Sequence, residues 1–452
     1  MHLRDLRGRR VAVWGTGREG TAAAEAVAGV GPARLIAIQD TPTFLATSWD
    51  GHLAEIAPLA VGEAAHEALR SIDVIVRSPG IAQVHPWIVE FRARGGVVTG
   101  GTALWMADHA DRTIGVTGSK GKSTTTTLVH HVLGALGRPA TLGGNIGIAA
   151  LSLPESESYV LELSAYQCAD LVDSPRVVAL TSLHPEHLDW SGSESGYYRD
   201  KLNVALHGPE VVVYNGHDER LLSELLALRD DLPLVAAGRP DGFHVADGEV
   251  RRGTEALFPR AVLPLVGRHN ESNLCVALTA LEAAGVDVVG RRDGVAAAVG
   301  SFQPLDHRLS PIADASGLTF VDDSLATIPQ AAIHAIEAYA DRPLTVIVGG
   351  QDRGVDYAPL REFLAERAVV ATLIGVPDSG PRILDEVKDL PTITTLTAAD
   401  LVEAVRLGRS CTPEGGVVLL SPAAPSYGRF DNFEHRSRVF REAIAATAPQ
   451  EV

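Results

Sequence analysis

IGVTGSKGKST, residues 114–124, is the stretch whose reading decides the fold. An apolar run ends at Thr117, a glycine-rich loop follows, and Lys122 and Ser123 open a helical pattern of threonines and apolar residues. Glycines let a loop turn its N–H groups toward a phosphate chain, and the helix N-terminus behind it adds its positive end. The lysine offers a point charge to the outer phosphates, and the serine hydroxyl offers a magnesium ligand. The strict pattern GxxxxGK[ST] is not met, because Val116 stands five places before Gly121. The tighter run Gly118, Ser119, Lys120, Gly121, Lys122, Ser123, Thr124 is read as an ATP-binding loop. A ligand-free strand-to-helix turn is the blander alternative, and the order of strand, glycines, GKS and helix weighs against it.

Outward from this loop, short β-branched runs alternate with alanine- and leucine-rich helical stretches. RVAVWG, RLIAIQD, DVIVRSPG, YVLELS, VVALTS, EVVVYNG, LTFVDD, LTVIVGG and GVVLLSP are apolar almost throughout, as strands buried on both faces are. The expected class is therefore α/β, with parallel sheets. The length, 452 residues, exceeds one ordinary core. Soft boundaries near Asp108 and Arg308 divide it into three regions. Residues 1–108 are expected to be Rossmann-like, 109–308 an ATP-binding parallel sheet, and 309–452 a second Rossmann-like domain. The first region opens with VAVWGTGREG, residues 11–20, whose Gly15-x-Gly17-x-x-Gly20 is followed twenty residues later by Asp40. That is the spacing of a dinucleotide-binding turn, and alone it fits a dehydrogenase as well as any other phosphorylated ligand.

The totals exclude several classes. A net charge of −17 speaks against a nucleic-acid surface. No apolar run is long enough to span a membrane, and no apolar segment follows the charged start MHLRDLRGRR as a secretory signal would require. The three cysteines, Cys168, Cys275 and Cys411, suggest neither a disulfide framework nor a metal site, so a reducing cytoplasm is expected.

Further motifs follow in order: LGGNIG (142–147), LELSAYQ (161–167), HPEHLDW (184–190), YYRDKLN (197–203), GRHNESN (267–273), DHR (306–308), DDSLAT (322–327), IVGGQDRG (347–354) and SPAAPSYGRFDNFEHR (421–436). Together with TGSKGKST this ordered series resembles the Mur ligase family, most closely the members that add glutamate to UDP-N-acetylmuramoyl-L-alanine. The resemblance runs through all three regions. It implies a cytoplasmic, monomeric ligase of peptidoglycan precursor synthesis, using ATP and magnesium and forming an amide through an acyl phosphate.

By that resemblance the N-terminal glycine turn holds a uridine diphosphate sugar rather than a nicotinamide. Arg18, Glu19, Asp40, Thr41, Ser78, Gly80, Asn145, Ser164 and Gln167 would form the sugar-nucleotide pocket. Ser123, Glu162, His187 and Lys201 would hold magnesium, with Lys201 carbamylated. Glu162 also draws attention from the residues alone, because it ends the buried run YVLEL, where an unpaired carboxylate is costly. His187 and Lys201 by themselves read as a turn histidine and a solvated lysine. Asn270, Asn273, Arg308 and Asp323 would complete the ATP site, although a helix N-cap is an equally ordinary use of Asn270. Thr327, Arg353, Ser426 and Phe433 are the expected glutamate contacts, Arg353 as a bidentate partner for a carboxylate.

The C-terminal turns depart from the D-glutamate pattern: DSLATI replaces DSKATN, Arg353 replaces a lysine, and SPAAPSYGRFDNFEHRS replaces SPACASxDxFxxFExRG. A separate branch adds L-glutamate, and an epimerase partner inverts it afterwards. WGTGREG, TGSKGKST, HLDW and DKLN resemble that branch, so L-glutamate is the expected substrate and D-glutamate the alternative. Other readings are folate polyglutamation, another peptidoglycan step, or a P-loop nucleotide-binding regulator without ligase chemistry. The N-terminal domain argues against the folate reading, and Glu162, His187 and Lys201 argue against the regulator.

Overall fold

The apolar runs become strands, and the glycines beyond them become turns at one edge of each sheet. The computed structural model describes residues 1–41, 49–186, 188–303, 309–339, 341–352, 354–366, 370–426 and 428–448. Packing divides the chain into two compact units, 1–263 with 271–302, and 264–270 with 303–452.

In the first unit β1 (Arg10–Trp14), β2 (Arg34–Gln39), β3 (Leu59–Val61), β4 (Val74–Arg77) and β5 (Val97–Gly100) form a parallel sheet in the order β3-β2-β1-β4-β5. Trp14 pairs with Ile38 on one side and Arg77 on the other. Register therefore brings Gly15, Asp40 and Ser78 to the same sheet edge, where the strand order reverses.

The second sheet is also wholly parallel. It comprises β6 (Thr113–Thr117), β7 (Thr141–Gly144), β8 (Tyr159–Glu162), β9 (Val177–Leu180), β10 (Val211–Asn215) and β11 (Leu234–Ala237), ordered β11-β10-β9-β6-β8-β7. Every residue of β6, β8 and β9 is buried, as continuous apolar runs require. β6 lies between β8 and β9, with Val116 opposite Glu162 and Thr117 opposite Leu180. Three loops thus emerge together: 118–121, the one after Glu162, and the one after Leu180.

A small antiparallel sheet of β12 (Phe243–Ala246), β13 (Glu249–Arg252) and β14 (Glu255–Pro259) also belongs to the first unit. Its mixed polar sequence hid it from the reading of continuous apolar runs. The core also crosses the expected boundary at 108: Trp105 packs edge-on to Tyr159 at 4.8 Å, within one cluster that includes Met106 and Leu161.

In the second unit β15 (Ser310–Ala313), β16 (Thr319–Asp322), β17 (Leu344–Val348), β18 (Ala371–Gly375), β19 (Ile393–Thr397) and β20 (Val417–Leu420) are ordered β15-β16-β20-β17-β18-β19. β15 alone runs antiparallel. The helices Pro329–Glu337, Leu401–Cys411 and Phe433–Ala446 supply buried residues to two cores, one for each face of this sheet.

Candidate active site

The helix Lys122–Ala135 starts from Gly121, whose φ of 84° is left-handed, and no side chain caps it. A helix N-terminus without a side-chain cap is the kind of site at which a phosphate is bound. A Cβ at Gly121 would overlap Asn273 Oδ1, and one at Gly118 (φ 148°) would overlap Thr181 Oγ1. Glycine is required at both positions. Threonine is a poor helix former, but Thr126 and Thr127 return their hydroxyls to the carbonyls of Lys122 and Ser123, at 2.8 and 2.7 Å. Lys122 folds back over the loop, donating to Gly118 O at 2.8 Å and Ser119 O at 2.9 Å. Ser123 and Thr124 stand in the first turn behind it.

Lys201, from the helix Glu194–Leu202, reaches the same loop and donates to Gly118 O at 2.9 Å. It is only 2% exposed, and burial, reinforced by the charge of Lys122, pushes its pKa down to about 7. Glu162 is equally buried. Its Oε1 accepts from Asn145 Nδ2 at 2.6 Å, whereas its Oε2 has no hydrogen-bond partner among the described residues. An orphaned carboxylate oxygen beside a phosphate loop is a suitable donor for a hard cation. Magnesium retains several waters and phosphate oxygens, so the carboxylate of Glu162 and the hydroxyl of Ser123 fit the small protein share it needs. Among the described residues no group of three or more His, Cys, Asp or Glu side chains stands close enough to hold a metal by itself. His187 lies outside the described residues.

The sugar-nucleotide candidates connect to this centre through Asn145, whose carbonyl accepts from Arg18 Nη2 at 3.2 Å. Gln167 donates to Glu19 Oε1 at 3.1 Å, and burial raises the Glu19 carboxyl. Ser164 caps the short helix that carries Gln167. At the first sheet's edge a Cβ at Gly15 would overlap the Ser78 hydroxyl, and one at Gly20 would overlap Gly15 O, so these two positions are closed to side chains, whereas Gly17 has open space around it. The hydroxyls of Ser78 and Thr41 are buried without a partner among the described residues. Asp40 accepts from Thr41 N at 3.0 Å and faces His85 Nε2 at 3.5 Å. Gly80 lies in the exposed turn after Ser78.

In the second unit Asn270 is not a cap: it sits within the helix Arg268–Ala283 and donates to Val266 O at 2.7 Å. Asp323, just after β16, accepts from Ser421 Oγ at 2.8 Å and Leu309 N at 3.3 Å. Thr327 is half-buried. The carbonyl of Phe433 accepts from Ser324 Oγ at 2.9 Å. Ser426 is buried and lines a cavity of about 320 Å³ with Gly349, Gly350, Leu401, Phe430 and Arg436. Thr327 and Phe433 are not among its lining residues. Arg308 and Arg353 lie outside the described residues.

The sequence reading missed three buried groups. Arg77 is fully buried, pairs with Asp170 at 2.8 Å, and thereby ties β4 to the second sheet's edge. Glu186 pairs with Lys120, and Tyr197 bridges Glu186 and Ser119. A charged residue inside the apolar run DVIVRSPG was the available signal for Arg77; Glu186 left none, because its partner lies 66 residues away.

Residues 116–281 match the Mur ligase middle domain. A UDP-N-acetylmuramoyl-L-alanine--L-glutamate ligase of Micromonospora sp. is 61% identical over 453 residues, covering 99% of each chain. The chain belongs to the Mur ligase family. The ligase of the same name from Salinispora tropica is 60% identical to this Mur ligase, over 99% of this chain and 100% of that one. The one from Xanthomonas oryzae pv. oryzae is 36% identical, over 98% and 96%. Among solved structures, the UDP-N-acetylmuramate-alanine ligase MurC of Thermotoga maritima shares the fold of this Mur ligase, with a TM-score of 0.55, 19% identity and coverage of 97% and 100%. MurF of the same organism, in complex with ADP, gives 0.55 and 16%, over 99% and 97%.

Proposed function

We infer that this Mur ligase joins L-glutamate to UDP-N-acetylmuramoyl-L-alanine at the expense of ATP, as its relatives' names state for them. The observation that carries the reading is the loop 118–121, closed to side chains at both glycines, beside Glu162 with its orphaned oxygen. The relatives' names support the L-glutamate reading and give the D-glutamate alternative nothing.

A carboxylate oxygen of the sugar-linked alanine attacks the γ-phosphorus of ATP. The bond to the β,γ-bridging oxygen breaks, ADP leaves, and an acyl phosphate remains. The amine of L-glutamate then attacks the acyl carbon, phosphate departs, the amine loses a proton, and the amide forms. Both reactants of the first step are anions. The amides at the start of the helix, from Gly121 to Ser123, and the ammonium of Lys122 offset their repulsion. Ser123, Glu162, His187 and a carbamylated Lys201 would hold magnesium, which supplies further charge neutralisation. Asn270, Asn273, Arg308 and Asp323 serve the nucleotide. Thr327, Arg353, Ser426 and Phe433 serve glutamate. The sugar nucleotide occupies the first sheet's edge, from Arg18 and Asp40 to Ser78.

We further assign the three functional regions to 1–108, 109–308 and 309–452, and place the reaction in the cytoplasm, with a separate epimerase acting on the product. No helix among the described residues is long and apolar enough to cross a membrane.

The test offers the purified protein ATP, magnesium and UDP-N-acetylmuramoyl-L-alanine with L- or D-glutamate separately. Amide formation with L-glutamate is expected. Exclusive use of D-glutamate, or phosphate release without amide, would overturn the reading. Lys122→Ala is expected to lower turnover on the order of a hundredfold or more.

A further inference from the structure

Lys120 stands inside the nucleotide loop, and its place in GSKGKS points to a phosphate contact. Its ammonium is instead engaged by a carboxylate: Nζ lies 2.8 Å from Glu186 Oε1, with the two side chains 19% and 7% exposed. Glu186 belongs to the segment after β9. The same segment grips the backbone of the loop. Ser119 N donates to Ser182 O at 2.8 Å, and Lys120 N donates to Ser182 Oγ at 2.8 Å. Lys120 O accepts from Thr181 Oγ1 at 2.5 Å and from Ser182 Oγ at 3.0 Å. Tyr197 OH donates to Glu186 Oε2 at 3.3 Å and lies 3.0 Å from Ser119 Oγ. The Tyr197 ring stands 5.0 Å from the ammonium of Lys201.

Between Gly118 and Gly121, Ser119 and Lys120 are the loop's only side chains, and both are anchored to this network. An exposed ion pair would add little, but a nearly buried one leaves a costly lone charge when either partner is removed. We propose that Lys120 is a positioning residue, an electrostatic latch whose ion pair with Glu186 holds the phosphate loop in its binding shape. On this view the phosphates are met by the amides from Gly121 to Ser123 and by Lys122. The proposal rests on the ATP-site reading above and adds the device that pre-shapes it.

A double-mutant cycle on the full-length protein tests it. ADP binding is measured calorimetrically, with and without magnesium, for wild type, Lys120→Gln, Glu186→Gln and the double variant. Each single change is expected to weaken binding roughly tenfold, and the double variant to bind no worse than the weaker single within about twofold. The KM for ATP should rise while that for glutamate stays unchanged, and Glu186→Asp, which keeps the charge, should recover most of the loss. Should Glu186→Gln not fold, Glu186→Ala, which also removes the charge, takes its place in the cycle, with the same non-additivity expected. The latch is overturned if Lys120→Gln weakens ADP binding by the same factor with and without Glu186, for that is a direct phosphate contact. A loss seen only in the presence of magnesium also overturns it, since the metal is then what Glu186 serves. If the wild type binds no nucleotide, the ATP-site reading falls and the latch with it; additivity with intact wild-type binding removes the latch alone.

Discussion

Gly121 shows how much one missing side chain decides. Its left-handed backbone and its contact with Asn273 leave no room for a Cβ. Gly121→Ala should cost about 1–3 kcal/mol of local strain and weaken ADP binding roughly tenfold or more, read by calorimetry. Unchanged affinity would mean that the loop is not held as described. Lys201 is the second residue whose environment decides its chemistry. Only a neutral amine combines with CO2, and an ordinary lysine, with a pKa of 10.5, is neutral in roughly one molecule in a thousand near pH 7.5. Burial and Lys122 bring Lys201 down to about 7, so the neutral amine predominates above that pH and is lost below it. Protein incubated with ¹³C-bicarbonate should show a carbamate carbon resonance that is absent from Lys201→Ala. Identical spectra from the two proteins would remove the carbamate from the site.

Among elements, strand register does the assembling. Thr117 pairs with Leu180 and Val116 with Glu162, so the loop ends of β6, β8 and β9 converge although they lie far apart in sequence. In the second unit the corresponding tie is electrostatic. Asp314, one residue beyond β15, pairs with Arg409 of the helix Leu401–Cys411 at 2.6 Å and accepts from Ser316 N at 2.9 Å. Its side chain is only 4% exposed, and the Arg409 guanidinium holds its carboxyl well below the usual range. A depressed folded-state pKa stabilises the protein above the unfolded value, 3.8, and that contribution is lost as pH falls through the folded value. Asp314→Asn should therefore unfold at lower urea concentration at neutral pH, by about 1–3 kcal/mol. The gap from wild type should begin to narrow below about pH 4 and close only as pH falls through the lower, folded-state value. A gap that stayed constant from neutral pH into acid would show that packing, not charge, makes the tie.

At the scale of the whole molecule, the chain of 47.7 kDa is expected to sediment as a single monomeric species, with or without ADP, and a dimer mass would contradict that expectation. Much of the design was legible in advance. The nine apolar runs beside the phosphate loop all became strands, because burial on both faces leaves a continuous apolar signature. The phosphate loop and the first glycine turn were legible because Gly118, Gly121, Gly15 and Gly20 stand where any Cβ would overlap a neighbour. The antiparallel β12–β14 sheet was not, since its half-exposed strands carry polar residues on one face. Nor were the Arg77–Asp170 and Lys120–Glu186 pairs, whose partners are 93 and 66 residues apart. Local chemistry, written in backbone conformational freedom and apolar periodicity, was thus determined by the sequence alone: a parallel α/β chain with a nucleotide loop and the motifs of a glutamate-adding Mur ligase. Which charge neutralises which, and which carboxylate oxygen is left for a cation, only the tertiary structure decided, because electrostatic partnership depends on distance through space and on burial, and neither is written in the order of residues.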